Sequence, residues 1–149
     1  MALLDEKTRS RLRTLFAEIR HPVKLLMFTQ AEGGALECSM CSETRTLVEE
    51  LGSLSENIDV EIRDLVADAD LARVYGVDKL PAIAILGGGT PAKDAGIRFY
   101  GIPSGYEFSS LIETILMVGR EDHGLGTAAL EALRQLKTPA HIQVYVTPT

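Results

Sequence analysis

The stretch ALECSMCSETRTLVEELG, residues 35–52, holds both cysteines of the chain, Cys38 and Cys41, just ahead of a helical pattern. Thr44, Leu47, Val48 and Leu51 recur on one face of that helix, and Gly52 closes it. Upstream, VKLLMF at 23–28 is an apolar run of strand length, which reads as a buried strand. The dithiol therefore falls where a loop leaving a buried strand meets the first turn of a helix. Unpaired N–H groups and the helix dipole favour negative charge at such a place. A thiol there has a lowered pKa and forms thiolate near neutral pH. Cys41 lies one helical turn beyond Cys38, so its sulfur returns to the first one.

The spacing by itself leaves three readings open. A C-x-x-C pair is either a redox dithiol or half of a metal site. A zinc site wants four ligands, and His21, His123 and His141 do not fall at ligand spacing, although two protomers sharing one site would supply them. The third reading is packing, because free cysteine behaves as a small hydrophobe. Placement at a helix start favours the redox reading, since metal binding needs no such placement. In that reading Cys38 attacks a disulfide and Cys41 resolves the mixed disulfide.

The rest of the sequence frames this site. With 149 residues the chain is long enough to bury a core without cross-links. A net charge of −6 argues against nucleic acid or an anionic membrane as partner. No apolar run approaches the ~20 residues that span a bilayer. MALLDEKTRSRLR lacks the apolar stretch of a signal peptide, so the expected location is cytoplasmic.

Alternating elements surround the cysteines. Leu12, Leu15, Phe16 and Ile19 predict a first helix over about 5–20, ended by His21-Pro22. Ile58, Val60 and Ile62 alternate with charged residues and predict a half-exposed strand. Leu71, Val74 and Tyr75 are expected to face inward from a short helix ended by Gly76. Strand 81–86 opens on Pro81, GGG at 87–89 turns it, and 97–100 is the next strand. Phe108, Leu111, Ile112 and Ile115 mark a long fourth helix. The order β-α-β-α-β-β-α behind a helix is α/β, with a crossover between the first two strands and helices covering both faces. GGG is a turn rather than a phosphate loop, having no following helix or lysine. Tyr100 and Tyr106 are weighed as groove or packing residues, and Lys24 as an ionisable group near the site.

On Cys38, Cys41 and the Leu80-Pro81 pair, the chain resembles the thioredoxin and glutaredoxin superfamily. The runs HPVKLLMFTQ, LPAIAIL and IRFYGIPSGYEFSSLIETIL are similar to the first half of the protein disulfide oxidoreductases of thermophiles, which fuse two such units. The resemblance covers about residues 8–120. It implies a thioredoxin-like fold, a central mixed four-stranded sheet flanked by helices, here with an extra N-terminal helix and a C-terminal helix-strand tail. It implies that Pro81 is cis and that the Leu80 backbone is presented to a substrate peptide. It also implies dithiol–disulfide exchange on protein disulfides through Cys38 and Cys41, with no cofactor beyond that redox pair. The implied partners are protein dithiols and disulfides, with a flavoprotein thioredoxin reductase or a peroxiredoxin among them.

Two features complicate that picture. Ser39-Met40 stands between the cysteines where members of the family often carry Pro-Tyr or Gly-Pro, and Glu37 sets a like charge against a thiolate. A redox-weak docking unit, like the first unit in the N-terminal region of alkyl hydroperoxide reductase, is therefore an alternative, and a C-x-x-C metal site another. The tail is the second feature. LRTLFAEIRHPVKLLMFT and LEALRQLKTPAHIQVYVT share a helix, a basic residue, X-Pro, a strand and threonine. That repeat predicts one redox unit over 1–120, then a linker with the first helix and strand of an incomplete second unit over 121–149. A strand at IQVYVT without its own sheet leaves donors unpaired, and a homodimer through the tail is the expected remedy.

Overall fold

The computed structural model describes residues 2–31 and 33–147. The elements are α1 (Glu6–Phe16), β1 (Val23–Thr29), α2 (Cys41–Gly52), β2 (Ile58–Asp64), α3 (Ala69–Val74), β3 (Ala82–Gly87), β4 (Lys93–Tyr100), α4 (Tyr106–Arg120) and α5 (Thr127–Arg134). One mixed sheet runs β2-β1-β3-β4. β1 pairs with β2 in parallel and with β3 antiparallel, and β3 pairs antiparallel with β4. The two apolar runs are the central strands, and every residue of β3 from Ala82 to Leu86 is buried. A strand covered on both faces has no need of polar alternation.

The pleat divides β1 between two cores. Val23, Leu25 and Met27 meet Leu12 and Phe16 of α1, Leu47, Val48 and Leu51 of α2, and Leu111 and Ile115 of α4. Leu26 and Phe28 meet Ala72 of α3, with Val77 just beyond that helix. Three helices therefore cover one face and α3 covers the other. No helix among the described residues is long and apolar enough to cross a membrane.

Several sequence-based expectations change in detail. α1 ends at Phe16 rather than near Arg20. Tight turns carry the chain to Ile19, and the N–H groups of Arg20 and His21 then donate to the Gly119 carbonyl at 3.0 and 2.9 Å. Gly119 permits this approach, since a Cβ there would lie 2.7 Å from Ile19 Cγ2. Leu15 and Val74, expected inward, are 38% and 76% exposed. α3 has only six residues, and Ala72 supplies its buried contact. β4 starts at Lys93 rather than Ile97 because Asp94 and Lys93 pair with Leu86 and Gly87 beyond a bulge. The turn itself agrees: Gly89 has φ +129, and Gly88 packs on Pro22 where no Cβ would fit.

The tail departs most. α5 forms, but residues 135–147 have no regular structure. Ile142, Val144, Tyr145 and Val146 are each more than three-quarters exposed at 83, 78, 87 and 82%. A strand exists only with a neighbour to accept its hydrogen bonds, and IQVYVT has none among the described residues.

Candidate functional site

Both halves of the site lie at one end of the sheet. Phe28 pairs with Ala82, so the Thr29 end of β1 stands beside Pro81 at the start of β3. The loop leaving Thr29 leads to the cysteines, and the turn entering β3 supplies Leu80 and Pro81. The Leu80-Pro81 peptide is cis, as is Thr90-Pro91. Pro81 is buried, and its carbonyl accepts from the Gly101 N–H at 2.9 Å. Leu80 packs partly against the Leu26 and Phe28 cluster. Its backbone N–H and C=O have no hydrogen-bond partner among the described residues.

Cys38 and Cys41 form a disulfide with Cα atoms 5.4 Å apart. The helix begins later than the sequence suggests: Cys41 is its first residue, and Cys38 sits in the preceding turn. The Cys41 N–H reaches the Cys38 carbonyl only at 3.4 Å. Met40 occupies the capping position and supplies no side-chain cap. Thr44, fully buried, anchors this start, because its N–H and its hydroxyl both donate to the Met40 carbonyl, at 3.0 and 2.7 Å. The two sulfurs differ in access. Cys41 is 5% exposed and belongs to the core, whereas Cys38 is half-buried.

The loop from β1 rests on a pair that sequence reasoning missed. The Gln30 amide donates to Asp64 at the end of β2, at 2.8 Å. Asp64 also accepts from the N–H groups of Val66 and Ala67. Those donors, Ala67 foremost, hold its carboxyl below the usual range. Gly34 lies on the Gln30 side chain so closely that a Cβ would stand 2.5 Å from it. The Gln30 Oε1 is buried and has no hydrogen-bond partner among the described residues. No local pattern marks this pair, because it depends on the register that sets Thr29 against Asp64.

A cleft of about 930 Å³ opens beside the disulfide, between the end of β2 and the start of α2. Cys38 and Cys41 line it with Gln30, Leu36, Glu37 and Glu43. The strand order puts this cleft on the β2 side of β1 and Pro81 on the β3 side. Lys24, Tyr100 and Tyr106 fall at different places. Lys24 is at the far end of β1, five residues from Thr29, or roughly 16 Å at the usual strand rise. It pairs there with Glu61 at 2.9 Å and Asp59 at 3.3 Å. Tyr100 is near the Pro81 end, paired with Ala82, and Lys79 sits over its ring at 5.5 Å. Tyr106 is 80% exposed at the start of α4. Among the described residues no three His, Cys, Asp or Glu side chains are grouped to hold a metal ion.

The architecture has counterparts among solved structures. A protein disulfide oxidoreductase from Aeropyrum pernix K1 superposes with a TM-score of 0.76 at 28% identity, over 91% of this chain and 57% of that one. The fold is thioredoxin-like. A thioredoxin-like unit of the same kind is found in the NTD_N/C domain of alkyl hydroperoxide reductase AhpF from Enterococcus faecalis, with a TM-score of 0.75 and 28% identity over 86% of this chain and 58% of that one. In sequence, the F component of the alkyl hydroperoxide reductase of Xanthomonas campestris pv. phaseoli is 25% identical over 144 residues, which are 96% of this chain. The chain spans 23% of that relative's length. No family model matches.

Proposed function

We propose that this thioredoxin-like unit is a thiol–disulfide oxidoreductase acting on protein disulfides through Cys38 and Cys41. The observation that carries the reading is the unequal access of two bonded sulfurs at an uncapped helix start. In the reduced unit, the Cys38 thiolate attacks one sulfur of a partner disulfide. The other partner sulfur leaves as thiolate, and a mixed disulfide with Cys38 remains. The Cys41 thiolate then attacks the Cys38 sulfur, closes the Cys38–Cys41 disulfide and releases the partner as a dithiol. Two electrons pass to the partner, and two protons from the solvent or the thiols complete it. Run backwards, the same steps oxidise a dithiol. The backbone of Leu80, free of partners among the described residues and next to Pro81, is suited to hold the substrate chain by main-chain hydrogen bonds.

Similarity to the oxidoreductases above supports this class of chemistry, and the alkyl hydroperoxide reductase relatives favour a flavoprotein reductase or a peroxiredoxin as partner. Their length also favours a second reading, a docking unit that serves a redox centre elsewhere. Alkylation separates the two. In the reduced protein iodoacetamide should label Cys38 first, and Cys41→Ser should accumulate mixed disulfides through Cys38. Preferential labelling of Cys41 would reverse the assignment. Absence of exchange with any disulfide leaves the docking reading.

A further inference from the structure

The cleft on the β2 side of the disulfide has an uneven charge balance. Its cations are already occupied: Arg45 pairs with Glu49 at 2.8 Å, and Arg63 pairs with Glu61 and with Asp68. The carboxyl of Asp64 is taken by backbone N–H groups and Gln30. Glu37 and Glu43 differ. Both are exposed, both line the cleft, and neither has an ion-pair partner among the described residues. They bracket the cysteines, one immediately before Cys38 and the other two residues after Cys41. Leu36 and Met40, 43 and 46% exposed, leave apolar surface beside them.

We propose that this cleft selects disulfide partners whose reactive cysteine lies in a basic peptide segment, with Glu37 and Glu43 as the specificity-determining carboxylates. The inference rests on the thiol–disulfide reading and adds its substrate class. When the partner sulfur meets Cys38, residues one or two positions away pass over the cleft. Lysine or arginine there meets two carboxylates with no competing cation. Aspartate or glutamate there meets like charge next to the reacting sulfurs, where the transferred electrons also add negative charge. An apolar neighbour of the partner cysteine covers Leu36 and Met40.

The test uses the reduced full chain and two synthetic peptides of equal length. Each carries one cysteine as a mixed disulfide with mercaptoethanol, flanked by Lys-Arg in one and Glu-Asp in the other. Hydroxyethyl disulfide is the uncharged reference. At low salt the basic peptide should react about tenfold faster, the gain expected of two exposed ion pairs. The ratio should fall towards unity at about 0.5 M salt. In the Glu37→Gln, Glu43→Gln double variant the ratio should collapse. It is the ratio that is read, so any change in Cys38 reactivity cancels. The net charge of −6 attracts basic peptides generally, so a second double variant, Glu56→Gln with Glu113→Gln, removes equal charge away from the cleft and should keep the preference. Equal rates for the two peptides, or equal collapse in both double variants, overturn the assignment while exchange with hydroxyethyl disulfide stands. No exchange with any of the three substrates overturns the oxidoreductase reading itself, and this one with it.

Discussion

Reduction of the disulfide should destabilise this unit by a small, calculable amount. The bond closes a ring of only four residues, Cys38 to Cys41. The chain-entropy relation assigns such a ring about 1.9 kcal/mol at 25 °C. Against this stands what the reduced state gains. A Cys38 thiolate beside the uncapped start of α2 recovers ~0.3–1 kcal/mol from the helix dipole. The oxidised form should therefore be the more stable by about 1–1.5 kcal/mol. For a chain of this size that corresponds to a fall in Tm of roughly 2–6 °C on reduction. By linkage, the disulfide in the folded unit should be harder to reduce than in the unfolded chain by about 20–30 mV.

Urea unfolding with and without dithiothreitol measures the difference, with the Cys38→Ser, Cys41→Ser double variant as a control that should ignore the reductant. A reduced form as stable as the oxidised one, or more so, would refute the balance. It would mean that thiolate stabilisation at the helix start exceeds the ring entropy, and that the site is built as an oxidant. A loss well above 3 kcal/mol would refute it in the other direction, because so small a ring cannot supply that much.

Other outcomes follow from particular contacts. Gly119→Ala gains at most about 1 kcal/mol of helix propensity, but its Cβ meets Ile19 and Val23, both buried. Overpacking of ~1–3 kcal/mol should win, and the urea midpoint should fall. Ile115→Ala empties a fully buried position on α4 and should cost about 2–5 kcal/mol by the same assay. Lys24 is held protonated above its usual range, chiefly by Glu61, and Glu61 is held ionised below its usual range, chiefly by Lys24. Their mutual contribution is present between the ordinary glutamate and lysine values. It is lost as pH falls through the lowered Glu61 value and as pH rises through the raised Lys24 value. Both side chains are partly solvated, so Lys24→Met should lose no more than ~1 kcal/mol at neutral pH, and its stability should decline less on the alkaline side.

The sheet was legible in the sequence because each strand carries its own address. β1 and β3 are unbroken apolar runs and became the centre; β2 alternates and became an edge. β4 reads four residues short in sequence because Lys93 to Gly96 are exposed there and only backbone pairing makes them a strand. The same rule decides the tail. IQVYVT alternates as a strand should, but periodicity reports which side chains want burial, not whether a neighbouring strand exists. Among the described residues no such neighbour is present, and the apolar side chains are exposed on the single chain.

At the site, legibility followed sequence distance. The cysteine pair, its loop and its helix are contiguous, so spacing and helical periodicity set the pair beside a helix start, three residues early for Cys38 because α2 begins at Cys41. Pro81 needed more. Nothing local ties it to the cysteines, and it was the family resemblance that singled it out. Gln30 and Asp64 lie 34 residues apart and meet only because β1 and β2 run parallel in a register that sets Thr29 against Asp64. A different pairing of the same strands would separate them and leave the loop without support. The cleft inherits that dependence. Glu37 and Glu43 are visible in the sequence as charges near a thiol, and Glu37 read alone argues only against thiolate formation. The fold adds what their neighbours do: Arg45 and Arg63 line the same cleft with their charges spent on Glu49, Glu61 and Asp68. Two carboxylates beside a redox sulfur are then left for a partner to meet.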